Sequence, residues 1–549
     1  MFDNKRRNFF IDLINSVPDR VSLGILILAN FICNNIFIFN LKYYADDFPN
    51  ILYPNPYYPP IARSLLNSQR PINFAVFGFQ QQIANDPLVF HLIAFISTTI
   101  TLILIYFIFK RIFQDFGYEN MLYPFLGAIF FCVLFNKDQA YAWPIMSTGL
   151  GFLMPILAIY LYLNKEKKYF LILSAVAYFL SLLTYEVGIC VPAFLFLYDY
   201  LRGNDWKKSL YFAIPLTLYL TIRYTKWFGY GWVSNDRGFG TYGLETVINA
   251  FTYPIITGDV LLRSIISSAS GFMQMSFLLI GVLIIINIGL LLIIIRHLNS
   301  TTTSKSPNIK LFFIAILMIL VFWAPYIIKG YQYLPPRAFY LCDIGIALFM
   351  VCIILLLKDY RNIKLLAICI IFVGLFINQG LYYNWVISGD SEEKIDNYIR
   401  GNSDELIKYD YIYFNTRSFT DSLPVKGNWQ TASIYWAYIA VKKQLSPPPR
   451  PTNITSSPQY DRGYISYYNA VAVTGASLNA MIWKHTNYQK MNYTLIYGEP
   501  GWSYIPLNVI ETEIIYREKN GNVSAVSRNK VFEINRTAVV SFNQQYSTM

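Results

Sequence analysis

The feature that most limits how this chain can fold is a succession of apolar runs near 22–41, 88–109, 121–135, 143–163, 169–185, 187–201, 209–228, 276–296, 311–329, 338–357 and 364–383. A hydrocarbon layer about 30 Å thick is crossed by about 20 helical residues, and a helix satisfies its own backbone hydrogen bonds there. The pattern predicts a polytopic α-helical membrane protein with about eleven transmembrane helices. Two runs, 121–135 and 187–201, are short, and the second follows its neighbour almost without a loop. Composition agrees: 14% of residues are charged, against roughly 25% in an average soluble protein.

Basic residues set the expected orientation. Lys5, Arg6, Arg7 and Arg20 precede or open the first run. Alternate connections then hold Lys110 and Arg111; Lys165, Lys167 and Lys168; Arg202, Lys207 and Lys208; Arg296, Lys305 and Lys310; and Lys358, Arg361 and Lys364. Such residues stay on the cytoplasmic side. The N-terminus is therefore expected inside, and an odd number of spans puts the sequence after residue 383 outside. The net charge of +12 is mostly this topological signal; it points to the bilayer as partner and does not indicate nucleic acid. The first run is too long for a signal peptide and lacks a small-x-small cleavage site, so it is expected to remain as a span.

All six cysteines fall in the apolar runs, which implies neither a disulfide framework nor a zinc site. His91, His297 and His485 are far apart in sequence and are expected to be packing or surface residues.

The outer connections are unequal. Two are long, about 42–87 and about 229–275. The first opens with Asp46-Asp47, directly after a membrane-length run. A carboxylate at the end of a spanning helix meets the negative end of the helix dipole and the edge of a low-dielectric layer. Stability does not explain two of them, whereas a base, a metal ligand or a cation partner does. A Pro- and Tyr-rich turn, Tyr53 to Pro60, follows, and then a mixed apolar and basic stretch expected to lie on the membrane surface.

Arg337, in Tyr333-Leu334-Pro335-Pro336-Arg337, sits at the outer mouth of the tenth run. Its guanidinium suits phosphate because the fork donates two parallel hydrogen bonds and keeps its charge; a snorkelling membrane anchor is the alternative. Arg63, Arg70 and Arg263 are weaker candidates for the same task. Glu186 lies at a tight outer turn and is expected to pair with an Arg, while Asp138 is either a neighbour of the acid pair or an exposed loop acid.

After residue 383 the texture becomes polar, aromatic and strand-prone. The expected layout is a membrane domain at 1–383 and an extracytoplasmic α+β domain at 384–549. The latter has helices near 389–408 and 431–445 and β-rich runs at 409–414, 493–497, 511–517, 530–534 and 537–542.

Asp46-Asp47 after the first span, a long first outer connection, Glu186 followed by Pro192, Arg337 before a late span and an outer C-terminal region together resemble the GT-C superfamily of membrane glycosyltransferases. Within it, the layout is most similar to the O-antigen glucosyltransferases of serotype-converting prophages. The resemblance implies a polyprenyl-phosphate-linked sugar donor and a glycan acceptor. It implies Asp46 or Asp47 as general base in an inverting displacement, and Arg337 with another outer Arg on the donor phosphate. With a composition rich in Ile, Asn, Tyr, Lys and Phe, it implies a bacterial inner membrane. No cofactor is demanded, though paired acids also suit a divalent metal. The alternatives are a transporter or flippase of a lipid-linked saccharide, which would gather ionisable residues near the midplane, and a glycan polymerase or ligase.

Overall fold

The computed structural model describes residues 17–44, 86–118, 121–135, 137–142, 150–166, 168–224, 264–299, 308–328, 339–357 and 360–406, short helical pieces at 71–72, 75–76 and 261–262, and the backbone of eight strands between 411 and 542. The chain is a helical membrane protein. Its long helices are α1 (Val17–Asn34), α2 (Pro87–Asp115), α3 (Leu122–Val133), α5 (Leu150–Leu163), α6 (Lys168–Thr184), α7 (Val191–Arg202), α8 (Ala213–Tyr224), α9 (Phe277–Asn299), α10 (Ile309–Ile328), α11 (Cys342–Leu355) and α12 (Tyr360–Leu406), with a five-residue α4 (Asp138–Ala142) between α3 and α5. Among the described residues, four segments are long and apolar enough to cross a membrane: Pro87–Asp115, Phe277–Leu298, Ile309–Ile327 and Arg361–Asp390. The helices in the other runs are shorter.

Each apolar run contains helix among its described residues, but several ends differ from expectation. The run at 22–41 is helical only to Asn34 and then turns, reaching an irregular stretch at 41–44. Adjacent asparagines terminate it: Asn35 donates to the Asn30 carbonyl at 3.2 Å and Asn34 to the Cys132 carbonyl at 3.3 Å. One amide thus bonds back onto the last turn of α1 and the other bonds across to α3. The run at 187–201 opens as a 3-10 turn, Glu186–Cys190, before α7. Gly188 allows this, since a Cβ there would stand 2.5 Å from Ser181 Oγ and 2.9 Å from Pro155 Cβ.

Packing follows the sequence pattern. Every residue of α3 is buried, so this all-apolar helix lies at the centre. At the perimeter, α9 exposes Phe277, Leu278 and Ile285 as lipid-facing side chains. The polar contacts that α12 makes with α9 and with the helix at 264–273 are uncharged. Asn287 of α9 and Gln379 of α12 exchange two amide hydrogen bonds of 2.9 Å, and Asn384 donates to the Ser267 hydroxyl at 2.9 Å.

The expected last span and the expected helix near 389–408 form one helix, α12, so the boundary drawn at 383 falls inside it. Beyond it, β1 (Tyr411–Thr416), β2 (Ala470–Thr474), β3 (Asn479–Ile482) and β8 (Thr537–Phe542) form a sheet in the order β3-β2-β1-β8. A second sheet has the order β4 (Trp502–Pro506), β5 (Glu513–Lys519), β6 (Asn522–Ser527), β7 (Val531–Glu533). The first is parallel across β2-β1-β8 and the second is antiparallel throughout. The runs expected at 431–445 and 493–497 lie outside the described residues.

Candidate functional site

Of the residues singled out from the sequence, Asp46, Asp47, Arg63, Arg70, Arg263 and Arg337 lie outside the described residues. Glu186 opens the 3-10 turn before α7, and its side chain is likewise outside them. Asp138 is described in full, and the segments that lead to the acid pair and away from Arg337 are described on one side each.

Helix α2 defines the two ends of the bundle. His91 is in its first turns and Lys110 near its last, roughly 28 Å apart at about 1.5 Å per residue. At the His91 end the irregular stretch 41–44 is held from several directions. His91 Nε2 is 3.2 Å from the Lys42 carbonyl, Lys42 pairs with Glu393 of α12 at 3.3 Å, and Phe90 meets the Tyr43 ring edge-on at 6.0 Å. Tyr44 is fully buried and donates its hydroxyl proton to the Trp385 carbonyl at 2.9 Å. The two rings are T-shaped at 4.8 Å. Gly389 makes room, because a Cβ there would stand 2.8 Å from Lys42 Cβ.

Trp385 carries the contact onward. Its indole Nε1 donates to Asp138 Oδ2 at 2.8 Å, and both residues are buried. The adjacent Lys137 is buried as well. It donates to the Phe131 and Leu134 carbonyls at 2.5 and 2.7 Å, at the C-terminus of α3, and stands 3.7 Å from Asp343 in the first turn of α11. Each charge therefore sits at a helix end of opposite polarity: the ammonium on carbonyls at the end of α3, the carboxylate in the first turn of α11. Burial pushes the Lys137 pKa below its usual value, and Asp343 acts against that shift. An aromatic wall backs the pair, with Tyr340 stacked on Phe152 at 4.3 Å and edge-on to Phe131 at 5.5 Å.

The two-residue step Lys137-Asp138 thus touches described residues that neighbour both expected halves of the site in sequence. Asp138 holds the helix that anchors Tyr44, two residues before Asp46 in sequence. Lys137 holds Asp343, six residues after Arg337 in sequence. The expectation that Asp138 is an exposed loop acid is overturned, since it is 4% exposed and bonded to an indole. Lys137, Trp385 and Tyr44 carry no role in the sequence reading. A usable signal was the Lys-Asp step closing a wholly apolar run, since two charges at that depth need partners.

The Lys110 end is also charged. Asp19 of α1 pairs with Lys110 at 2.7 Å and accepts from Tyr106 at 2.5 Å. Asp115 receives Arg202 and Tyr198, both at 2.6 Å. A cavity of about 250 Å³ opens there, lined by Arg111, Lys165, Arg202 and Lys208 together with Glu166, Asp199 and Asp205. Arg111 meets Glu166 at 2.8 Å, and Lys165 meets Asp199, so the cations are largely neutralised by their own neighbours. His297 packs on Phe125 and lies 2.9 Å from the Ser22 hydroxyl, a packing role like that of His91.

No protein-family model matches this sequence, and no curated protein is significantly similar to it.

Proposed function

We propose that the protein is an integral-membrane glycosyltransferase of the GT-C type, moving a single hexose, glucose by the nearest resemblance, from a polyprenyl-phosphate carrier to an extracytoplasmic glycan such as O-antigen. In this reading it sits in a bacterial inner membrane with eleven spans, a cytoplasmic N-terminus and a periplasmic α+β region after α12. Asp46 or Asp47 takes the acceptor hydroxyl proton, with Asp46 preferred because it is nearer the anchored stretch. Arg337 and an outer Arg among Arg63, Arg70 and Arg263 bind the donor phosphate, which leaves as the anomeric bond breaks.

The observation that carries the reading is the anchoring of Lys42–Tyr44. A general base must be held within hydrogen-bond reach of the proton it removes. A merely solvated acidic loop has no need of a fully buried tyrosine bonded to a helix backbone two residues before its first carboxylate. The transporter reading is less well supported, because the described ion pairs gather at the two ends of the bundle, whereas the polar contacts between them are neutral amides and hydroxyls.

The test is transfer of radiolabelled sugar from defined polyprenyl-phosphate donors by the purified full chain, compared with Asp46→Asn, Asp47→Asn and the double variant. One single variant should lose transfer by about 10²–10⁴-fold while donor binding persists. Near-normal transfer in all three would discard the mechanism and favour a transporter.

A further inference from the structure

We propose that Asp138 and Trp385 are positioning residues that hold Tyr44, the last described residue before the acid pair, and so act on catalysis from outside the reacting groups. The inference rests on the glycosyltransferase reading for its catalytic consequence but not for its structural one.

Trp385 is engaged at its side chain and its backbone. Its indole N–H is spent on Asp138 at 2.8 Å, and its backbone carbonyl accepts the Tyr44 hydroxyl at 2.9 Å. The ring also abuts the Tyr44 ring at 4.8 Å. The indole bond fixes the side-chain rotamer, and the rotamer fixes the surface against which Tyr44 rests. Asp138 therefore reaches the start of the first outer connection through one intermediary. Lys137, its chain neighbour, bonds the end of α3 and pairs with Asp343 at the start of α11.

Core packing alone is the competing account, and it makes different predictions. A purely structural tryptophan is replaced by phenylalanine with a general loss of folded protein. A positioning tryptophan loses kcat while the remaining protein still binds donor, because a misplacement of about 1 Å costs about 10²-fold in rate.

The experiment uses the full chain in detergent or lipid discs, with W385F, which keeps a ring against Tyr44 but has no N–H, and Y44F, which keeps the ring but has no hydroxyl. Two quantities are read on the folded fraction: kcat and KM for the polyprenyl-phosphate sugar, and amide hydrogen exchange of residues 45–49. Expected are a fall in kcat of about tenfold or more with donor KM within about twofold, and exchange faster by about tenfold. D138N, which keeps an oxygen for the indole, should lose less than D138A. Exchange and kcat both within about twofold of wild type in W385F and Y44F would overturn the proposal, and so would faster exchange with unchanged kcat. If the wild-type chain transfers no sugar, the glycosyltransferase reading fails by itself, and exchange alone then decides whether these residues order the connection: faster exchange upholds that role and unchanged exchange removes it.

Discussion

Lys137 illustrates how a charge survives without water at the level of one residue. Its ammonium has exchanged hydration for two carbonyls and a carboxylate 3.7 Å away. Removing one member of such a pair leaves the other buried and uncompensated, a cost of about 3–5 kcal/mol. Lys137→Met should therefore lower stability by that order in detergent unfolding, and Lys137→Met with Asp343→Leu should recover most of it, as the pair is replaced by apolar volume. The pH dependence has a definite sign. Burial sets the folded pKa of Lys137 below the ordinary lysine value. Between those two values the unfolded chain binds the extra proton, so stability contributed by this group rises with pH across that window. Measured unfolding of Lys137→Met should lack that rise.

Helices were legible in this sequence because apolar length is a property of the chain alone; their ends were not, because ends are decided by partners. Asn34, the last residue of α1, bonds the Cys132 carbonyl of α3, about a hundred residues away, and Gly188 in the 3-10 opening of α7 lies close against Pro155 of α5. Glycines show the same dependence. A Cβ at Gly271 would lie 2.1 Å from the Gly380 carbonyl oxygen, so the helix at 264–273 and α12 touch backbone to backbone. Gly271→Ala has only backbone to push against and should lower stability by about 1–3 kcal/mol. At Gly281 of α9 no atom lies within 4 Å of the same Cβ. Gly281→Ala should be neutral or stabilise by up to about 1 kcal/mol, since alanine is the better helix former. Thermal unfolding of the two variants in one detergent checks the contrast. The candidate site was legible only as far as chain position allows. Asp138 was visible as an acid near the right loop, but its indole partner lies 247 residues away and nothing local announces it.

At the scale of the whole molecule, the described charges sort by helix end, and this sorting bears on orientation. Lys110, Arg111, Lys165 and Arg202, which fall in alternate connections of the sequence, gather at one end of α2, while Lys42, Lys137, Asp138 and Glu393 gather with its first turns. Basic residues next to spans stay in the cytoplasm, so the Lys110 end should face inward and the Tyr44 end outward. Glu166 and Glu393 are suited to test this, being 74% and 51% exposed at opposite ends. In a background with the exposed Cys369 changed to serine, a membrane-impermeant thiol reagent on intact cells should label Glu393→Cys at once. It should reach Glu166→Cys only after the membrane is opened. The reverse pattern would put Tyr44 and the connection it anchors inside the cell. Acceptor glycans and presented lipid-linked donor would then be on the other side of the bilayer from the acid pair, and the glycosyltransferase reading would have no compartment in which to operate.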